Sequence, residues 1–245
     1  MADPDSVDEL PLPDHQRRIK RSRLLFVGPW VLVLLALVLL VWEVVRGNLS
    51  TELRTHWPWR LVLLDLESAS GLLAIGSGVF FARAQYAEAV RPIVGWLGRI
   101  DPNPSEMTCD PTWQVTLVNG GSHTATLLKP RYLAVPAGGM PDGQQVRWCD
   151  FETVRAQLTA LGLRMGHHFD LAYIGDGAPL MSATGGQTSY IGSFTREFTE
   201  AVEQLYIRIR VRDVAGDTHE RVLSCLRGAG LQFAAEAERE RRQAP

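Results

Sequence analysis

The sequence predicts a membrane protein of mixed α+β class: a two-helix transmembrane hairpin followed by a soluble antiparallel β-sandwich-like, Ig-like domain with one or two short helices. Three observations predict it. Apolar residues crowd between Leu24 and Ala82, while both termini are polar. Three tryptophans, Trp42, Trp57 and Trp59, gather where the apolar run is interrupted, like the aromatic belt of a membrane interface. Beyond position 112, short runs alternate apolar and polar residues and are separated by glycine-rich turns, the pattern of half-buried strands.

The first span is read at 24–45, LLFVGPWVLVLLALVLLVWEVV, with one acid, Glu43, near its far end. At 1.5 Å per residue it extends roughly 33 Å, enough to cross a bilayer core. It is too long for a signal-peptide core, and no small-residue cleavage site follows. Pro29 sits in the first turns, where a missing N–H costs least. The second span is read at 61–82, although Asp65 and Glu67 interrupt it; 66–82 alone reaches the lower limit of length. The short connection from Arg46 to Arg60 folds the pair into a hairpin.

Basic residues set the expected orientation. Arg17, Arg18, Lys20, Arg21 and Arg23 precede the first helix, against Arg46, Arg54 and Arg60 in the loop. The positive-inside rule then places both termini in the cytoplasm. Residues 1–23 are expected to form a disordered acidic tail ending in this basic flank.

Within the second span, Glu67, Ser70, Gly71, Ala74, Ser77 and Gly78 fall on one helical stripe. Small residues at that spacing let helices approach closely, and polar ones bond across the contact. An acid there can face an oligomer interface or a water-filled path. The plainer alternative leaves both acids near the outer headgroups, reaching water.

Residues 83–111 are read as a juxtamembrane helix over 84–98, kinked by Pro92, and a proline-rich linker. The soluble domain is placed at 112–228. Trp113, Val115 and Leu117 alternate with polar residues, Asn119-Gly120-Gly121 turns, and 124–128 returns. Short strands are also expected at 132–135, 146–149 and 169–174. A second hairpin pairs 205–211 with 220–226, carrying Arg208, Arg210 and Arg212 on its polar face, with Asp213 and Glu220 as nearby acids. Asp150 is placed to cap a helix over 151–161, and a weaker helix is expected over 195–204. Residues 229–245 form a charged tail, either a helix extension or disordered.

The chemistry-bearing motifs are sparse. A net charge of −2 argues against a nucleic-acid binder. Cys109, Cys149 and Cys225 form no metal-ligand spacing and are read as buried or free thiols of a reducing compartment. His167-His168-Phe169-Asp170 is the strongest metal candidate, but adjacent strand residues point to opposite faces. Gly175-Asp176-Gly177-Ala178-Pro179 lacks the ending of a phosphate loop and reads as a turn. No catalytic motif, cofactor or metal is expected.

Several residues resemble a widespread group of uncharacterised bacterial, actinobacterial-type membrane proteins. These pair a two-helix hairpin with an "RxQ…xRP" segment and a strand with a "v-x-L-x-N-x-G-x-x-x-A" pattern. The matching residues are Arg83, Gln85, Arg91 and Pro92, then Val115, Leu117, Asn119, Gly121 and Ala125; the stretch 213–225 is similar too. The resemblance implies architecture and no activity. The expected function is therefore a membrane-anchored protein-interaction or scaffold module at the cytoplasmic face. Its partners would be the lipid bilayer and a protein or a second copy of the chain. The rival is a small oligomeric channel or transporter accessory subunit using the Glu67 stripe.

Overall fold

The computed structural model describes residues 15–101, 111–139, 147–185 and 188–243. They divide into two compact units: residues 21–90, and the described residues on either side of that segment.

The outer unit is built on nine strands in two antiparallel sheets, counted among the described residues. The first sheet runs β1 (Arg17–Lys20), β9 (Thr218–Ser224), β8 (Val202–Arg212), β4 (Ala125–Pro136), β6 (Pro179–Leu180). The second runs β2 (Val94–Asp101), β3 (Thr112–Asn119), β7 (Ser189–Phe194), β5 (Phe169–Leu171). Alternation along each strand sends one set of side chains into a shared core. Val115, Leu117, Ile191 and Phe194 from one sheet join Leu127, Ile207, Ile209 and Leu223 from the other, all at most 2% exposed. Trp113 fills the same core, and its indole N–H donates to the Cys225 carbonyl at 2.8 Å, tying the two sheets together.

Two residues show how closely the sequence serves this packing. A Cβ on Gly98 would lie 2.0 Å from the Trp113 ring, so only glycine leaves room for the indole. Asn119 is fully buried and uses both ends of its amide. Its oxygen accepts from the N–H groups of Ile93 (3.3 Å) and Gly121 (3.0 Å), and its nitrogen donates to the carbonyls of His123 (2.8 Å) and Leu180 (3.3 Å).

Among the described residues three α-helices belong to this unit. Asp150 caps α4 (Phe151–Ala160), accepting from Thr153 N–H at 2.9 Å, as the sequence predicts. Thr195 caps α5 (Arg196–Ala201), and α6 (Ala229–Gln243) follows the turn after β9. Cys149 and Cys225 are free. Burial and the neighbouring Asp150 charge push the Cys149 thiol up to about 11, so it stays protonated near neutrality.

The helical unit packs α1 (Arg23–Asn48) against α3 (Leu66–Ala89), with a short α2 (Thr51–Arg54) between them. The contact runs through Ala36 of α1 and Ala69 and Gly76 of α3, all buried. A Cβ on Gly76 would stand 2.8 Å from Leu32 Cδ2. At the loop end Trp42 stacks on Trp59 at 4.8 Å. Glu43 is buried there, paired with Arg46 at 2.9 Å and accepting from Leu63 N–H at 3.2 Å.

Among the described residues one stretch, Val27–Asn48, is long and apolar enough to cross a bilayer; its mean hydropathy is 2.4, and only 11% of it is buried. The expected second span, 61–82, does not reach that length and hydropathy. Residues 61–65 are not helical, and α3 starts at Leu66 with Asp65 as its cap.

Two further expectations need correction. Residues 94–101 form strand β2, not the end of a juxtamembrane helix, because Val94, Trp96 and Ile100 alternate inward and pair residue for residue with β3. The sandwich therefore extends beyond 112–228. It also takes in residues 17–20, expected to be part of a disordered tail, which form β1 on β9. Residues 1–14 of the expected tail and 102–110 of the expected linker lie outside the described residues.

Candidate functional site

Strand register defines two ends of the sandwich. At one end lie the β3–β4 turn, the β6–β7 connection, the β8–β9 turn, the end of β1 and the start of β2. At the other lie α5, the start of β8, the end of β9 and the start of α6.

A cleft of about 540 Å³ lies at the second end. Its floor is apolar: Val202, Leu226, Ala229 and Phe233 line it, and all are buried. Its rim is polar, with Arg196 paired to Glu200 at 3.1 Å across one turn of α5, and Glu203 beside them. An apolar floor with a charged rim is the common composition of a binding pocket or the core of an interface. The cleft brings together residues from three separated segments. No sequence pattern marks them, since each reads alone as an ordinary apolar or helical position.

The stripe of the second helix stays on one face of α3. Glu67, Ser70, Gly71, Ala74 and Gly78 are exposed and Ser77 is half-buried. The helix turns Ala69 and Gly76 to α1 instead, and a Cβ at Gly71 or Gly78 would meet nothing within 4 Å. The Ser70 hydroxyl donates to the Glu67 carbonyl at 2.8 Å.

The arginine row of β8 is divided among different partners. Arg208 is buried beneath Trp148, 4.8 Å from its ring centre. Arg210 shares Glu220 with Arg17 of β1, each at 2.7 Å. Burial alone would raise the Glu220 carboxyl, but hydrogen bonds from Arg210 and Arg17 outweigh it and hold the group below its ordinary range. Asp213, expected beside the arginines, binds the buried His219 at 2.9 Å. This leaves Arg212 as the exposed member of the row.

The residues of the 167–170 motif are not brought together. His168 accepts from Arg164 N–H through Nδ1 (2.9 Å) and faces Glu197 through Nε2 (3.2 Å). Asp170 accepts instead from the Tyr190 hydroxyl at 2.9 Å, on the outer face of the second sheet. Among the described residues no group of three or more such side chains is placed to hold a metal.

No family model and no curated protein matches the chain. Among solved structures, a crystal structure of a protein described as ApaA from Bordetella pertussis aligns with 54% of this chain and 88% of its own length. The identity is 13% and the TM-score 0.23, too low for its fold or role to be carried over. The class the molecule defines is thus an α+β protein with a β-sandwich body, mostly antiparallel, and one apolar helix of membrane-spanning length.

Proposed function

We propose that the chain is a membrane-anchored interaction module. Residues 21–90 insert into a bacterial plasma membrane as a two-helix hairpin, and the sandwich presents the α5–α6 cleft to a protein partner. The apolar length of Val27–Asn48 carries the anchoring, and one observation bears on the number of spans: β1 precedes the hairpin in the chain yet is hydrogen-bonded to β9, which follows it. A chain that leaves a folded domain at Lys20 and re-enters it at Arg91 must cross a bilayer an even number of times. That favours α3 as the second span, with Leu66–Ala82 as its apolar length, over a single crossing. It also argues against removal of α1 as a leader, because cleavage after α1 would strip β1 from the sheet. Lys20, Arg21, Arg23, Arg83 and Arg91 flank the helices on the sandwich side, against Arg46, Arg54 and Arg60 in the loop. This balance supports a cytoplasmic sandwich.

Accessibility of single cysteines to a membrane-impermeant maleimide tests the reading. Cysteine at His56, in the hairpin loop, should label in intact spheroplasts; cysteine at Leu231, on α6, should label only in inverted vesicles. Labelling of both from one side would end the two-span reading. For the cleft, a photo-crosslinker at Gly230 should trap one discrete protein in membranes, and Phe233→Asp should abolish the adduct. Gly230 has open space for a side chain, so the probe itself does not disturb the fold. A second reading, self-association through the α3 stripe, is favoured by its position off the α1 contact. Loss of a detergent-stable oligomer in Gly71→Leu would support it.

A further inference from the structure

We propose that the junction end of the sandwich is itself a lipid-binding surface that rests on an anionic bilayer, beyond the attachment supplied by the helices. The proposal relies on the membrane-anchored reading above. The chain leaves the sandwich at the end of β1 and returns at the start of β2, and both points lie at the end that carries the β3–β4, β6–β7 and β8–β9 connections. Only Arg21 and Ser22 separate Lys20 from α1, and only a few residues separate α3 from β2. At about 3.5 Å per residue, such links cannot hold this end far from a membrane that contains the helices.

The side chains at this end suit that position. Three large apolar groups stand exposed on separate connections: Ile93 (59%), Met181 (43%) and Val214 (56%). Lys20, Arg91 and Arg212 are exposed around them. The acids of the same turns are turned inward. Asp213 is 6% exposed and engaged by His219, and Asp217 is 1% exposed and paired with Arg18 at 3.2 Å. The β3–β4, β6–β7 and β8–β9 connections, as far as they are described, therefore show the outside no carboxylate; the nearest exposed acid along the chain is Glu88, in the last turn of α3. Apolar tips with a cationic surround enter the headgroup layer and attract anionic lipid, whereas an exposed carboxylate would be repelled. The opposite end is mixed in charge, with Arg196, Glu200 and Glu203 at the rim of the cleft. One end thus meets the bilayer while the other faces the aqueous partner.

The test uses the full chain in nanodiscs of phosphatidylcholine and phosphatidylglycerol, with Cys109 and Cys149 replaced by serine and a single new cysteine carrying an environment-sensitive fluorophore. Positions Val214 and Met181 probe the junction end, Leu231 (80% exposed) the far end, and Leu37 the first helix. Lipids bearing a nitroxide near the headgroup act as quencher for the labels on the sandwich, and lipids bearing one deep in the acyl chain for the label at 37. Labels at 214 and 181 should emit at shorter wavelength than at 231 and be quenched several-fold more. Quenching at 214 should drop several-fold when phosphatidylglycerol is replaced by phosphatidylcholine. If the label at 37 is lipid-quenched while 214 and 181 behave like 231, the lipid-facing end is overturned and the anchor stands. If the label at 37 is unquenched, the anchor fails and the surface with it. Quenching at 214 that ignores the headgroup charge overturns the role of the cations.

Discussion

Single residues in this protein carry loads that their type alone does not announce. Asn119 satisfies four backbone groups from the start of β2, the β3–β4 turn and β6, with no exposure to water. Asn119→Ala leaves several of them buried without partners, at about 1–3 kcal/mol for each group left unsatisfied. A fall in stability of about 2–4 kcal/mol is expected from urea melts. A change below about 0.5 kcal/mol would show that water replaces the amide. Gly98→Ala should cost about 1–3 kcal/mol or more, because the new methyl would sit within the Trp113 ring and a packed core yields poorly. The same melts, with tryptophan emission as the signal, check it. Glu220 sets an acid limit. Its folded-state carboxyl is held below the ordinary range by Arg210 and Arg17, so it contributes stability above the unfolded value, near pH 4.5. That contribution is lost as pH falls through the lowered folded value. Glu220→Gln should therefore lower stability at pH 7 and flatten its decline below about pH 4.5. An unchanged acid limb in the variant would assign the decline to other groups.

At the scale of elements, α3 separates packing from exposure across its two faces. Gly76→Leu should weaken the α1–α3 hairpin, since even a Cβ there comes within 2.8 Å of Leu32, whereas Gly71→Leu meets open space and should leave it intact. Thermal aggregation in detergent distinguishes them: a lowered transition only for Gly76→Leu is expected, and equal effects would mean the stripe also packs within the hairpin. Strands β3 and β4 were legible singly, but the expected hairpin between them is not formed: the Asn-Gly-Gly segment carries the chain from one sheet to the other, where β4 pairs with β8 and β6. The hairpin β8–β9 was legible because it alternates with period two around an Ala-Gly-Asp turn. The α4 cap was legible for the same reason, a local signal with a local cause. Strand β1 was not. Its RRIK sequence has one apolar residue, and it is a strand only because β9 offers an edge and Glu220 and Asp217 bind its arginines. Strand β2 was hidden by Gly98, which breaks the inward alternation of Val94, Trp96 and Ile100 to admit Trp113. The cleft was invisible for a different reason. Its floor joins the start of β8 to the turn and helix after β9, and only strand pairing brings those together.

The connectivity of the whole molecule makes one more demand, which can be tested without locating the membrane. A protease site inserted between Thr55 and Arg60 would divide the chain into a fragment ending just after α2 and a fragment holding α3 and most of the sandwich. Two attachments survive the cut. One is β1 on β9, with the ion pairs Arg17–Glu220 at 2.7 Å and Arg18–Asp217 at 3.2 Å; the other is the packing of α1 on α3. Each is small, and ion pairs whose arginines reach solvent are worth little singly. Joined through the two residues between Lys20 and Arg23, however, either contact raises the effective concentration of the other, so the pair holds far better than its parts. The cleaved chain should therefore elute from gel filtration in mild detergent as one species containing both fragments. Adding Arg17→Glu and Arg18→Glu turns the β1 attachment repulsive against Glu220 and Asp217, and should raise the share of free fragments several-fold. Complete separation of the unmodified fragments would mean that β1 does not belong to the sandwich in the native chain, and the even-crossing requirement would fall with it.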